Sequence, residues 1–97
     1  MTERKTEFTN NFFFDNVIDI LLTQKCTNIK AFKVEKNSFF DVVIMCNVTS
    51  NTQMVSSVKK LKNLVKSKNK NFFSEGIDSS WALVEFEGVG IHFFTEE

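Results

Sequence analysis

Reactive and ligating side chains are few in this chain and widely scattered. Cys26, Cys46 and His92 are the only thiols and the only imidazole in 97 residues. A zinc site needs about four closely spaced Cys, His or carboxylate ligands, so this set does not make one, and neither metal nor cofactor is expected. Nucleophilic catalysis needs a nucleophile beside a base and an orienting group. The parts exist here, but no motif gathers them, and Cys46 lies in a segment that reads as core. Both cysteines sit in or beside apolar sequence and are expected as free, buried thiols. Glu85 and Glu87 flank Phe86, yet two-metal phosphoryl transfer needs a larger carboxylate cluster, and Glu87 belongs to a turn. Gly88-Val89-Gly90 lies in a hairpin rather than between a strand and a helix, so it fits neither the dinucleotide fingerprint nor the P-loop. These residues do not support an enzyme, and a binding module is expected instead.

One stretch still concentrates chemistry. Residues 79–94, SSWALVEFEGVGIHFF, hold the single tryptophan, Trp81, and the single histidine. WALVEF and VGIHFF alternate as strands do, and Gly88 supplies the positive φ that a two-residue hairpin turn needs. On such a strand Trp81, Leu83 and Glu85 point one way, and Ala82, Val84 and Phe86 the other. Antiparallel pairing about Glu87-Gly88 sets Glu85 opposite Gly90 and Leu83 opposite His92, which brings His92 to the Trp81 face. A tryptophan, an aliphatic, an acid and a histidine on one face have the composition of an interface anchor with a polar margin. The competing reading keeps Trp81 in the core and His92 as a hydrogen-bonded structural residue.

The elements that position this hairpin are legible from periodicity. Phe14, Val17, Ile18, Leu21 and Leu22 recur at helical spacing, which predicts a helix over residues 11–24 capped by Asn10 or Asn11. NIKAFKV at 28–34 predicts a half-buried strand through Phe32 and Val34. KNS at 36–38 is a turn. FFDVVIMC at 39–46 is a nearly unbroken apolar run, expected as a central strand covered on both faces. SNTQ at 50–53 is a capping box, with Ser50 on the Gln53 amide and Gln53 reaching back to that of Ser50. Met54, Val58, Leu61, Leu64 and Val65 mark one face of the following helix, which runs to about Lys68. NFFS at 71–74 is a short strand and EGIDSS a loop. The order α-β-β-α-β-β-β predicts one two-layer α/β domain over residues 1–97, a mixed β-sheet packed against helices.

Composition narrows the class further. Hydrophobic residues make up 42% and charged residues 25%, as in soluble globular domains. Phe is abundant at 12 residues, with no Tyr and no Pro; an AT-rich coding bias accounts for that alphabet. No apolar run reaches the roughly 18 residues of a membrane span. The N-terminus, MTERKTEFTNNFFF, mixes charges before a Phe run too short for a signal peptide. A soluble protein in a reducing, intracellular location is expected. Net charge is zero but unevenly placed. Lys59, Lys60, Lys62, Lys66, Lys68 and Lys70 supply half the basic residues with no acid between them, whereas six acids and no Lys or Arg follow Asn71. RNA reading by stacking needs aromatics interleaved with basic residues on one strand face. Here the aromatic strands are acidic and the lysines lie on a helix, so the lysines read either as a solvated face or as an RNA-contacting one.

From about Asn28 to Phe94 the sequence resembles the ribosomal silencing factor family, RsfS in bacteria and Iojap in plastids. The family's Asp-Tyr-Phe-Val-Ile-Cys-Ser-Gly-Thr-Ser segment and following Arg-Gln correspond to Asp41-Val42-Val43-Ile44-Met45-Cys46-Asn47-Val48-Thr49-Ser50 and Thr52-Gln53. Its Glu-Gly, then Trp-x-Leu-Leu-Asp-Tyr-Gly-Asp-Val-Val-Val-His-Val-Phe, corresponds to Glu75-Gly76, then Trp81 through Phe94. Joint order and spacing carry the resemblance; no single element does. The departures are Glu85 for Asp, Phe86 for Tyr, Glu87-Gly88 for Gly-Asp, Val48 for Gly and Thr52 for Arg. Family members continue through an aromatic and acidic segment where this sequence stops at Glu97, which leaves open any contact made by such a tail.

The resemblance implies a non-catalytic, nucleotidyltransferase-like α/β fold. It implies binding to the large ribosomal subunit through ribosomal protein fourteen, blocking subunit joining and repressing translation in the bacterial cytoplasm, or in an organelle for the organellar relatives. Some members form homodimers in isolation, so a homodimer is one of the states open to this chain. Trp81, Leu83, Glu85 and His92 are then the expected contact face, supported by Phe86 and Phe94. The alternative is a large-subunit assembly factor that contacts rRNA through Lys59, Lys62 and Lys66.

Overall fold

A computed structural model describes residues 12–34, 41–77 and 79–96. The Asn10/Asn11 cap, the turn at 36–38 and the start of the 39–46 run lie outside them. Two helices and five strands follow the expected order: α1 Phe12–Thr23, β1 Thr27–Lys33, β2 Val42–Val48, α2 Asn51–Ser67, β3 Phe73–Glu75, β4 Trp81–Phe86 and β5 Val89–Thr95. The strands form one mixed sheet in the order β1-β2-β5-β4-β3. β2 and β5 run parallel at its centre, and every other pairing is antiparallel. A parallel pair needs a long crossover between its strands, and α2 with the β3–β4 excursion provides it.

Both helices lie on one face of this sheet. Val42, Ile44, Cys46 and Val48 from β2, Ala82, Val84 and Phe86 from β4, and Val89, Ile91 and Phe93 from β5 are all buried. They meet Phe14, Val17 and Leu21 of α1 and Met54, Val58, Leu61 and Val65 of α2. The opposite face carries no helix among the described residues. Three expectations change as a result. β2 is not covered on both faces: its burial alternates, and Met45 is 37% exposed. Phe32 is not on the buried side of β1, because its register partner is Val43 and both belong to the open face. Leu22 points away from the core of α1 and is 58% exposed. Five apolar residues at helical spacing span a wider arc than the sheet covers.

Local chemistry fixes the element ends. Ser50 caps α2, its Oγ accepting from the Gln53 amide at 3.2 Å. Gln53 does not reach back to Ser50, however. Its Oε1 accepts from the Thr49 amide at 2.6 Å and the Thr49 hydroxyl at 2.9 Å. Its Nε2 donates to the Gln24 carbonyl at 2.7 Å, tying the N-terminus of α2 to the end of α1. At the β4–β5 turn Glu87 and Gly88 both have positive φ, 42° and 80°, the conformation of a type I′ hairpin. The Gly88 carbonyl accepts from the amides of Asp41 at 2.7 Å and Val42 at 3.2 Å, so the turn also anchors the start of β2.

Candidate partner-binding face

The hairpin register is the one that alternation and the Gly88 turn require. Leu83 pairs with His92, Glu85 with Gly90 and Trp81 with Phe94. Because these pairs continue through β2 to β1 and through β3, side chains on the open face fall into three rows. The first runs Phe32, Val43, Gly90, Glu85, Phe73; the second Lys30, Met45, His92, Leu83, Glu75; the third Thr27, Asn47, Phe94, Trp81. The four residues expected to form a contact face, Trp81, Leu83, Glu85 and His92, are therefore neighbours on the sheet face opposite the two helices.

Aromatic packing orders the third row and its neighbour. The Trp81 and His92 rings lie 5.6 Å apart at 37°, a diagonal cross-strand contact. His92 stacks in turn on Phe94 at 6.4 Å and 12°. Trp81 nevertheless remains 38% exposed. It is held from one side and open on the other, which excludes the reading of Trp81 as a core residue. Phe94 belongs to this face. Phe86 instead lies on the helical side of the sheet, buried, with its ring stacked on Phe72 at 6.0 Å.

The strand that carries Trp81 is set by its preceding loop. The Ser79 hydroxyl lies 2.8 Å from the Gly76 carbonyl and 2.6 Å from that of Trp81, sharing its proton between them. Gly76 has φ +77°, and a Cβ there would come within 2.6 Å of the Trp81 carbonyl oxygen. Only glycine fits that approach, which explains the Glu75-Gly76 pair in the sequence pattern.

Beyond the four expected residues, the open face includes Phe32, Met45 and Phe73, each more than a third exposed. The alternation Val42-Val43-Ile44-Met45 contained the signal for Met45, masked because both alternating sets are apolar. At one end of the face an open cleft of about 590 Å³ lies against Phe72, Phe73, Glu85, Phe86 and Glu87. Lys70, in the segment between α2 and β3, reaches its rim, with Nζ 4.0 Å from the Glu87 carboxylate.

The remaining candidate groups stay apart from this face. Lys59, Lys62 and Lys66 are exposed on α2, on the helical side of the sheet. Cys26 and Cys46 are free and buried, also on the helical side. Among the described residues, no group of three or more His, Cys, Asp or Glu could hold a metal ion, and no helix is long and apolar enough to cross a membrane.

Two solved structures share the fold. One, from Bacillus halodurans, superposes with a TM-score of 0.77 at 19% identity, over 87% of this chain and 81% of that one. The other, from Chromobacterium violaceum, gives 0.76 at 22% identity, over 86% and 72%. No curated protein matches the sequence. The family model for the ribosomal silencing factor during starvation, RsfS, matches residues 9–97. With nearly the whole length matched and the Trp81–Phe94 hairpin in place, the chain belongs to the ribosomal silencing factor family.

Proposed function

We propose that this protein represses translation by docking on the large ribosomal subunit through ribosomal protein fourteen, using the open sheet face around Trp81, Leu83, Glu85 and His92, and so blocks subunit joining. The observation that carries this reading is a half-exposed tryptophan, braced by His92, on a sheet face that neither helix covers. Apolar surface of this kind, edged by charges such as Glu85, Glu75 and Lys30, is characteristic of protein-binding sites. The work is done in the cytoplasm, by occupying a surface rather than by catalysis.

The test is sedimentation of the tagged protein with purified large subunits and with assembled ribosomes. Co-sedimentation with free large subunits only, and a fall in the assembled peak when the protein is added before the small subunit, are the expected results. Equal binding to assembled ribosomes refutes the mechanism. A lysine-mediated rRNA contact is distinguished in the same assay by changing Lys59, Lys62 and Lys66 to Gln. If the sheet face carries the binding, the triple variant keeps the salt dependence of the wild type; an RNA-led contact loses up to about three units of the log–log salt slope.

A further inference from the structure

At one end of the sheet the β3–β4 ladder stops short of the hairpin turn. Its last pair is Phe73 with Glu85, and beyond that pair the two chain segments bound the open cleft of about 590 Å³. Phe72 and Phe86 line it with rings stacked at 6.0 Å and 14°. Phe73 lines it too and is 51% exposed. Glu85 of β4 and Glu87 of the turn bring two carboxylates to the same wall, and none of the described lining residues is basic. Glu87 stands where the family pattern has glycine, so its carboxylate is this chain's own addition.

Two surface acids alone would be a solvated edge. Here they border a cavity with aromatic walls, and an ammonium already stands at its rim. The Lys70 Nζ lies 4.0 Å from the Glu87 carboxylate, with the two side chains 48% and 44% exposed. An ion pair so open to water is weak and exchanges readily.

We propose that the cleft is a binding site for an organic cation, an alkylammonium or guanidinium group on an aliphatic stem, which displaces Lys70 from Glu87. The carboxylates supply charge-assisted hydrogen bonds, which a guanidinium can receive in bidentate form. The faces of the phenylalanine rings are electron-rich and attract a cation laid against them. An aliphatic stem covers the exposed surface of Phe73, as the stems of lysine and arginine cover apolar surface elsewhere. A hydrated metal ion gains nothing from such walls, and among the described residues no group of three or more His, Cys, Asp or Glu could hold one. Anions are repelled by the two glutamates. The cleft volume lies within the roughly 300–1,000 Å³ usual for small-ligand sites. The cation has two possible sources: a free polyamine, or a basic side chain of a bound protein. Only the second rests on the docking reading, because Glu85 also belongs to that face.

The experiment titrates the ¹⁵N-labelled full chain with spermidine, with N-acetyl-arginine amide and with its neutral citrulline counterpart, at matched ionic strength. Amide chemical shifts are the readout. Saturable shifts confined to residues 71–73 and 85–88 are expected with a cation, and none with citrulline. Glu87→Gln should weaken binding about fivefold. Lys70→Gln, which removes the competing ammonium, should tighten it about threefold. Saturation by spermidine alone supports the site with a free polyamine as the source; saturation by the arginine amide alone supports it with a protein side chain. Shifts that never saturate and spread to Glu75 and Glu96, equal shifts with citrulline, or unchanged affinity in both Glu85→Gln and Glu87→Gln overturn the proposal. The wild-type titration needs no substitution and no ribosome. Its result therefore stands where a variant fails to fold, and failure to bind large subunits leaves it unaffected.

Discussion

Replacing Trp81 with alanine gives the sharpest test of the docking face, because its effect can be worked from the exposed area. A tryptophan carries up to about 250 Å² of surface, and 38% of it is exposed here, leaving roughly 95 Å² for a partner to cover. At about 25 cal/mol per Å² that area is worth ~2.4 kcal/mol on docking, or about 50-fold in Kd. The variant should still fold. It leaves the buried face of β4, Ala82, Val84 and Phe86, untouched, and loses only the ring contact to His92 and its packing beside Phe94. A stability loss of about 1–2 kcal/mol is expected from a partly buried aromatic, below that of a truncated core ring. Affinity for large subunits is measured at fixed salt, since salt alone moves ribosome binding. Circular dichroism melting provides the folding control. A folded variant that binds within about threefold of the wild type refutes the reasoning, because covering that area would then add almost nothing to docking. Trp81→Phe, which keeps part of the apolar area, should fall between the two.

Two further predictions concern the devices that hold the face in place. Gly88→Ala forces a side chain into φ +80° and brings its Cβ within 2.7 Å of the Asp41 carboxylate. The carboxylate can swing aside but the left-handed strain cannot be relieved, so a loss of about 1–2 kcal/mol is expected. For a domain of this size that lowers Tm by roughly 4–16 °C, read by thermal melting. Gln53→Ala should cost more than Ser50→Ala. The latter removes one cap, about 1 kcal/mol, whereas Gln53 serves both Thr49 and the Gln24 carbonyl that joins α1 to α2. Urea unfolding of the two variants checks the order, and a smaller loss for Gln53→Ala would contradict the bridging role.

The hairpin could be read from sequence because its determinants are local. Gly88 allows one turn geometry, and period-two alternation then assigns every residue from Trp81 to Phe94 to a face without knowledge of the rest of the fold. The helix ends were legible for the same reason, although the Gln53 bond moved by one residue to Thr49. The β1–β2 register was not legible, because it shifts between Thr27 and Lys30, where Asn28 adopts φ 50°, and composition does not encode such an irregularity.

β2 shows where pattern reading fails and why the failure bears on function. An unbroken apolar strand is normally explained by burial on both sides, yet only Val42, Ile44, Cys46 and Val48 meet the helices. With two helices and five strands, the described residues supply cover for one face only. Val43 and Met45 on β2 are thus apolar without contact to either described helix, as are Phe32, Phe73 and Trp81 on the strands around it. An exposed apolar surface that none of the described elements covers is costly in solubility unless something else covers it. Glu85, Glu75 and Lys30 interrupt the surface and discourage indiscriminate association, while Trp81 and His92 pre-order its aromatic centre before any partner arrives. Met45 lies directly beside His92 in the register, so the apolar run that suggests burial on both sides would extend the proposed docking face across the middle of the sheet.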